Sequence, residues 1–410
     1  MFRDVRMRGF QRRTSVEEAW AWIDGLPTPR TVEPVPVPMA ADRLLAEDVV
    51  SRVAVPGFPR SAMDGWAVQA EATFGATETD ALPLTVIGTS LPGRPFDGVV
   101  AAGQAVRIMT GAPVPAGADA ILRAEDGTQA GDVLTVRAPV PVAKHVGRVG
   151  EDIEAGTTVL AAGRRLRPAD LGVLSAIGEA TVPLHARPRV CLLATGDELL
   201  PAGAEPDGVQ IVDSNSPMLH ALVERDGGHV THAALLRDDA ELLRRELEAG
   251  AASADVVLVT GGSSVGEEDH APRLLHELGT LAIHGVGMRP AAPTGMGTLG
   301  EATVFLLPGN PVSCLSAYDF FAGRRIHALS ARGGPHTPYA TRAGTLARKI
   351  SSVLGRLDYV RVRITEDGVL PVMARGASIL SSVTGADGYV VVAQDSEGHV
   401  EGDTVTVHLY

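Results

Sequence analysis

Apolar and polar positions change their rhythm along the chain, and the changes mark its parts. In the middle, continuous apolar runs of strand length alternate with stretches of helical spacing. VCLLAT, DVVLVT and ATVFLLP are the continuous runs, as expected of strands covered on both faces. HVTHAALL reads as a further strand. PMLHALVERDG, AELLRRELEAG, HAPRLLHELG and VSCLSAYDFFAGRRIHAL carry apolar residues at helical spacing. Ser214-Asn215-Ser216 starts the first of these helices and Gly227-Gly228 stops it. This alternation predicts a parallel, doubly wound α/β domain with right-handed crossovers, from Arg187 to Ala331.

The flanks read differently. LPLTVIG, QAVRIMTG, DAILRAED and DVLTVRAPV are short strands between Gly/Pro turns, which predicts a β-rich domain over residues 51–150. GTTVLAAGRRL is a strand and turn, and PADLGVLSAIG a short helix with Pro168 in its first turn. Ser15-Val16-Glu17-Glu18 is a capping-box pattern opening the helix VEEAWAWID. The prolines from Pro27 to Pro38 predict an extended connector. After residue 332, GTLARKI, DYVRVRIT, GYVVVAQ and DTVTVHLY predict a C-terminal β-domain or barrel.

Composition narrows the function classes. The 410 residues carry a formal net charge of −13, which argues against nucleic acid or an anionic membrane as main partner. It leaves room for a small anion, which feels the local site. The two cysteines, Cys191 and Cys314, cannot build a disulfide framework, and a reducing cytoplasm fits them. Both sit in apolar contexts and read as buried thiols. No apolar stretch reaches membrane-spanning length. The basic segment MFRDVRMRGFQRR lacks an apolar stretch after it and reads as an arm, not a secretion signal.

Four loops follow the predicted strands of the α/β domain, where open sheets bind ligands. They are Thr195–Glu198, Arg237–Asp239, Thr260–Asp269 and Pro308–Ser313. Gly261, Gly262 and Gly266 let backbone N–H groups approach a ligand, and Ser263 and Ser264 add hydroxyls. The helix after Pro311 offers its positive end. Asp197, Glu198, Asp238 and Asp269 crowd the same rim, where phosphate would need a cation such as Mg²⁺ between. Taken singly, each loop is an ordinary turn and Asp238-Asp239 an ordinary helix cap. Four in succession point to a phosphate-and-metal site. The β-rich part adds SAMDGWA, RIMTGAPV and Gly150-Glu151-Asp152, whose spacing alone does not say where they face. No HExxH, CxxC or GxxxxGK[ST] occurs, which disfavours zinc enzymes, thiol chemistry and P-loop NTPases.

In order along the chain, SAMDGWA, RIMTGAPVPAGADAI, GEDIEAG, LLATGDEL, VDSNSPML, LLRDD, TGGSSVGEEDH, LPGNPVS, GRLDYVRV and GADGYVVV resemble the molybdopterin molybdenumtransferase family, the MoeA and gephyrin E-domain type. The resemblance runs from about Ser15 to the end. It implies a multidomain α/β-plus-β protein with a MogA-like α/β domain at 187–331. It implies a discontinuous N-terminal linker domain at 14–50 and 151–186, a β-rich domain at 51–150 and a C-terminal domain at 332–410. The implied reaction takes adenylylated molybdopterin and molybdate, splits the pyrophosphate bond, releases AMP and leaves molybdenum on the dithiolene. Mg²⁺ and a homodimer go with it, and other proteins of cofactor biosynthesis are further partners.

By that resemblance Asp64, Thr110, Asp152, Glu198, Asp238 and Asp269 are the catalytic positions, with Asp238 and Asp269 near the metal. Asp197, Gly261, Gly262, Ser263, Ser264, Gly266, Arg289, Pro293, Pro308, Gly309, Asn310, Pro311, Ser313 and Arg148 would line the substrate. Asp64 and Thr110 would reach in from the β-rich domain of the other subunit. Departures stand at Gly147 and Gly285, where the family commonly carries basic residues, and at Pro290-Ala291-Ala292-Pro293, where it has Pro-Gly-Lys-Pro. A lost charge-assisted contact costs ~1.5–3 kcal/mol. Arg148 or Arg289 is placed to compensate. Two other readings therefore stay open. One is a MoeA-like paralogue with weakened or absent catalysis. The other is a molybdopterin adenylyltransferase, which is a single α/β domain and so fits the flanking domains poorly.

Overall fold

The computed structural model describes residues 13–261, 270–332, 336, 338–372 and 376–410. The chain divides into two compact units, Pro34–Leu184 and the remainder, the latter joining the chain up to Glu33 with His185–Tyr410.

The Pro34–Leu184 unit holds a six-stranded sheet in the order 120–123, 65–68, 104–108, 82–90, 133–136, 127–130. Every residue of Gly65–Val68 is buried. Trp66 and Val68 join one core, with Leu84, Leu122 and Leu134, while Ala67 joins another, with Val106, Ile108 and Ile121. Burial of both faces is why SAMDGWA shows no alternation and reads as a turn when it is half strand. A third core gathers Val35, Leu45 and Val49 with Ile153, Leu160, Leu174 and Leu184. Beside it Asp170 is buried and grips Arg164 through two hydrogen bonds of 2.8 and 2.9 Å.

In the other unit, Val16–Asp24 forms the helix the capping box predicts. Ser15 Oγ accepts from Glu18 N, and Glu18 returns the bond to Ser15 N. The helix packs on the long helical stretch Pro311–Leu329, whose middle, Tyr318–Ala322, widens into a π-turn. Such a turn disturbs the helical ladder, and Trp20 Nε1 donates to the Phe320 carbonyl at 2.7 Å. Arg324 pairs with Asp24 at 2.6 Å, and the buried Arg325 donates to Pro27 O.

The α/β sheet has strands β1 (Arg189–Thr195), β2 (His229–Leu236), β3 (Val256–Thr260), β4 (Thr280–His284), β5 (Gly295–Leu299) and β6 (Ala302–Leu307). Their order is β2-β1-β3-β6-β5-β4. The first four strands in this order are parallel, as the alternation predicts. β5 and β4 extend the sheet antiparallel, a hairpin edge that the sequence pattern does not reveal because Gly295 and Gly297 interrupt it. Helices α1 (Asn215–Arg225), α2 (Ala240–Ser253) and α3 (Ala271–Leu278) make the connections. β3 and β6 are buried throughout, and separate apolar clusters cover the two faces of the sheet. Cys191 and Cys314 are both fully buried, which pushes their thiols up to about 11 and about 12.

The C-terminal strands run 341–345, 404–409, 388–392, 357–365, 368–371, and the bridge Leu346–Val369 brings first and last together in a barrel-like closure. Met288–Arg289 adds to this sheet beside Leu357–Asp358. All five tyrosines meet where these strands cover the α/β helices. Tyr359, Tyr389, Tyr410 and Tyr339 stack or abut, and the Arg225 guanidinium lies over both Tyr339 and Tyr318. Arg225 itself bonds Asp226 and the buried Asp319. Among the described residues no helix is long and apolar enough to cross a membrane.

Arg164 above all, together with the Arg167 N–H and guanidinium, holds the Asp170 carboxyl at about 2, below its ordinary 3.8. A depressed folded value stabilises the fold above pH 3.8 and loses that stabilisation as pH falls through about 2. The contribution is ~2 kcal/mol. Asp170→Asn is therefore expected to lower stability at neutral pH and to flatten its fall between pH 4 and 2, followed by chemical denaturation at each pH.

Candidate active site

β1 is flanked by β2 on one side and β3 on the other, so successive connections leave it in opposite directions. A crevice opens at such a switch point, beyond the carboxyl ends of the two strands. The loops there are pressed together. Gly261 has a φ of +86°, and a Cβ on it would sit 2.3 Å from the Thr195 carbonyl oxygen. Gly309 packs on Gly261 in turn, its virtual Cβ 3.5 Å from the Gly261 Cα. Glycine is required at 261 because backbone meets backbone there.

Asn215, at the start of α1, ties these loops together. Its Nδ2 donates to Thr260 Oγ1 at 2.9 Å and to the Gly309 carbonyl at 2.7 Å. Asp213 Oδ1 accepts the N–H groups of Asn215 and Ser216, fixing the helix start. Asn215 Oδ1 and Thr195 Oγ1 are buried without a hydrogen-bond partner among the described residues. Buried polar atoms are almost always satisfied, so two orphans at one crevice mark where a ligand's polar groups belong. In the sequence Thr195 stands out only as the first residue of a candidate loop, and Ser214-Asn215-Ser216 reads only as a helix start. The signal is structural: α1 begins against the ends of β3 and β6.

The acidic rim resolves into distinct parts. Asp238 N donates to Asp197 Oδ1 at 3.3 Å and Asp197 N to Asp238 Oδ2 at 3.4 Å, so each carboxylate is held against the backbone of the other loop. Asp239 is the helix cap, accepting from Glu241 N and Leu242 N. Glu198 is exposed on the neighbouring turn, its carbonyl fixed by Ile211 N. Gly262, Ser263, Ser264, Gly266 and Asp269 lie outside the described residues. In the fourth loop, Pro308 O and Gly309 O face Thr260 and Asn215, Asn310 O begins the helix, and Pro311 opens it. The Val312 N–H is engaged by the Ala377 carbonyl, so the helix end has one donor fewer than the sequence suggests, and Ser313 is buried behind it.

Arg289 is not a loose cation. Its Nη2 lies 2.9 Å from Asp358 Oδ2, and Arg356 grips the same buried carboxylate. Pro293 closes the following turn, where Thr294 N–H and Oγ1 both donate to Ala291 O. The backbone explains one departure in this segment, Gly285, and not the alanines at 291 and 292. Gly285 has a φ of +90° and Ala291 a φ of +101°. A glycine conformation is thus kept at 291 with a side chain on it.

A second constellation lies in the Pro34–Leu184 unit. Asp64 Oδ1 accepts both the N–H and the Oγ1–H of Thr110, each at 2.7 Å. These two bonds, the backbone one first, hold the Asp64 carboxyl below its usual range. Gly65 follows because a Cβ there would lie 1.9 Å from Leu122 O. Asp152 donates its N–H to Val55 O, and its carboxylate has no hydrogen-bond or ion-pair partner among the described residues. The guanidinium of Arg148 is likewise unpartnered among them, while its N–H donates to Glu151 Oε2. Gly147 pairs with Arg60 across a short antiparallel ladder. A Cβ on Gly147 would meet Glu151 Oε1 at 2.9 Å and Arg60 Cγ at 3.2 Å. The place of a side chain at 147 is thus taken by the Arg60–Glu151 ion pair, 2.8 Å long.

A strand-end crevice of glycine-rich loops, rim carboxylates and orphaned polar atoms defines a nucleotide- or pterin-binding α/β protein with accessory β-domains. Family models fit each part. Residues 14–178 match the MoeA N-terminal region (domains I and II), 191–328 the probable molybdopterin binding domain, and 343–410 the MoeA C-terminal region (domain IV). The chain belongs to the molybdopterin molybdenumtransferase (MoeA) family. It is 32% identical to a molybdopterin molybdenumtransferase of Haemophilus influenzae, over 95% of this chain and 96% of that one. It is 35% identical to molybdopterin molybdenumtransferase 2 of Mycobacterium tuberculosis, over 81% and 84%. A crystal structure of the molybdopterin biosynthesis MoeA protein of Pyrococcus horikoshii superposes with a TM-score of 0.80 at 31% identity, covering 97% of this chain and 99% of that chain.

Left-handed φ at a residue with a Cβ costs ~1–2 kcal/mol. Ala291→Gly is expected to raise the thermal midpoint by a few degrees, allowing for the glycine's greater unfolded-state entropy. An unchanged or lower midpoint would show that the turn carries no strain.

Proposed function

We propose that this protein inserts molybdenum from molybdate into adenylylated molybdopterin, hydrolysing the pyrophosphate bond and releasing AMP. It acts in the cytoplasm as a Mg²⁺-dependent homodimer. The observation that carries the reading is the crevice at the ends of β1, β3 and β6, where Thr195 Oγ1 and Asn215 Oδ1 are buried without a partner among the described residues. A pterin offers ring N–H groups and acceptors for such atoms.

Asp197 and Asp238 would hold the metal, with Asp269. Their reciprocal backbone bonds keep the two carboxylates on one rim, which suits a divalent cation. Among the described residues no cluster of three or more His, Cys, Asp or Glu side chains forms a full cage. That too suits Mg²⁺, which keeps waters and phosphate oxygens as ligands. The cation supplies neutralisation of the phosphates. Glu198 stands exposed on the same rim and orients the pterin or the attacking water. Asp64 stays ionised and accepts the Thr110 proton, which leaves the Thr110 oxygen lone pairs to face a donor. The Asp152 carboxylate and the Arg148 guanidinium, which have no hydrogen-bond partner among the described residues, would engage substrate. Exposed Phe58, Met63 and Val149, 44%, 41% and 51% accessible, flank these residues and support burial against a second copy.

Purified protein given adenylylated molybdopterin, Mg²⁺ and molybdate is expected to release AMP and form active cofactor. Asp238→Ala and Asp269→Ala should each lose on the order of a hundredfold or more in rate while remaining dimeric. Retained pterin binding without AMP would instead identify a non-catalytic paralogue. Formation of adenylylated molybdopterin from ATP and molybdopterin would identify an adenylyltransferase. Full activity in both variants would refute the metal assignment.

A further inference from the structure

We infer that Arg60 receives a tetrahedral oxyanion, molybdate or a phosphate of the nucleotide, and that Glu151 occupies Arg60 until the anion displaces it. The inference rests on the proposed reaction, but its test does not need turnover.

Arg60 sits at the edge of the Asp64–Thr110 constellation. The next residue, Ser61, donates its N–H to Ala112 O and accepts from Gly111 N, so this segment is laddered onto the turn that carries Thr110. Ser61 also fixes the loop ahead of Asp64, its Oγ donating to Met63 O and accepting from Met63 N. The guanidinium makes a single hydrogen bond among the described residues, Nη2 to Glu151 Oε1 at 2.8 Å. Most of its N–H donors therefore remain available.

The ion pair is of the weak kind. Both side chains are well exposed, 45% for Arg60 and 37% for Glu151, and the contact is not bidentate. Exposed single contacts of this kind add little to stability. A doubly charged oxyanion, able to take two parallel N–H groups, competes well with one carboxylate oxygen. Glu151 has somewhere to go, because its second oxygen is already held by the Arg148 N–H at 3.1 Å. The bare Gly147 opposite leaves the space the pair occupies, with no side chain of its own to bind the anion.

A structural staple would be the ordinary alternative, joining strand 60–61 to the loop at 148–151. The two roles give opposite signs on one side of the pair. For a staple, removing either partner does the same harm. For a displaceable partner, removing Glu151 frees the cation.

The test is equilibrium dialysis of the full chain against molybdate and, separately, against inorganic pyrophosphate. Arg60→Ala is expected to weaken binding of one of them by about tenfold or more, and Arg60→Lys by less. Glu151→Gln should tighten the same anion severalfold. Thermal midpoints of the variants, expected within a few degrees of the parent, check folding. The anion that responds identifies the source, molybdate or the nucleotide phosphate. Unchanged affinity for both anions in Arg60→Ala, or weaker binding in Glu151→Gln, would overturn the inference. Because binding is read without turnover, a protein that releases no AMP would fail the proposed reaction and leave this result intact.

Discussion

Backbone-to-backbone contact at the ends of β1, β3 and β6 is the constraint around which the α/β half is built. Gly261 has no space for a side chain against Thr195, and Gly309 packs on Gly261 in turn. Three loops can come this close only if their strands are held in strict register. That is the service of the fully buried β3 and β6 and of the apolar clusters on both faces. Asn215 then converts proximity into a fixed geometry, by sharing its two amide hydrogens between neighbouring loops.

A chain of formal charge −13 that handles anions must place its cations with care. Those nearest the candidate sites are mostly engaged. Arg289 shares Asp358 with Arg356, and Arg60 is paired with Glu151. Buried Asp358 and exposed Glu151 put these pairs in different regimes. A carboxylate shielded from water and gripped by two guanidiniums is costly to uncover. An exposed single contact is nearly free to exchange. Arg289 is therefore held within the C-terminal sheet beside Asp358, and Arg60 stays available.

Local signals were legible in the sequence and long-range ones were not. Ser15 and Glu18 announce their helix because both halves of the capping box lie within one turn. The α/β alternation is legible because each buried strand is a continuous apolar run. β4 and β5 escaped notice, since glycines at 295 and 297 let backbones approach and break the apolar run. Asp238-Asp239 shows the difficulty at the site. The two residues look alike, yet one caps α2 and the other faces Asp197 across the rim. The Asp64–Thr110 pair spans 46 residues and the Arg60–Glu151 pair 91. Such pairings are set by sheet topology, which sequence periodicity does not encode. The missing basic side chain at Gly147 looked like a lost function. In the fold, that space belongs to an arginine from the facing strand.

The tyrosines carry a practical consequence. All five sit in one corner, where the C-terminal strands meet Arg225, and burial raises every phenol above its ordinary pKa. The whole phenolic absorbance of the molecule is thus a spectroscopic reporter on a single joint. Alkaline difference spectra would record the loosening of that joint as one step, undiluted by signal from elsewhere. Of the three tryptophans, Trp66 belongs to a separate core and would report on the Pro34–Leu184 unit, whereas Trp20 stacks on Phe320, which abuts Tyr359, and would report on the edge of the tyrosine joint.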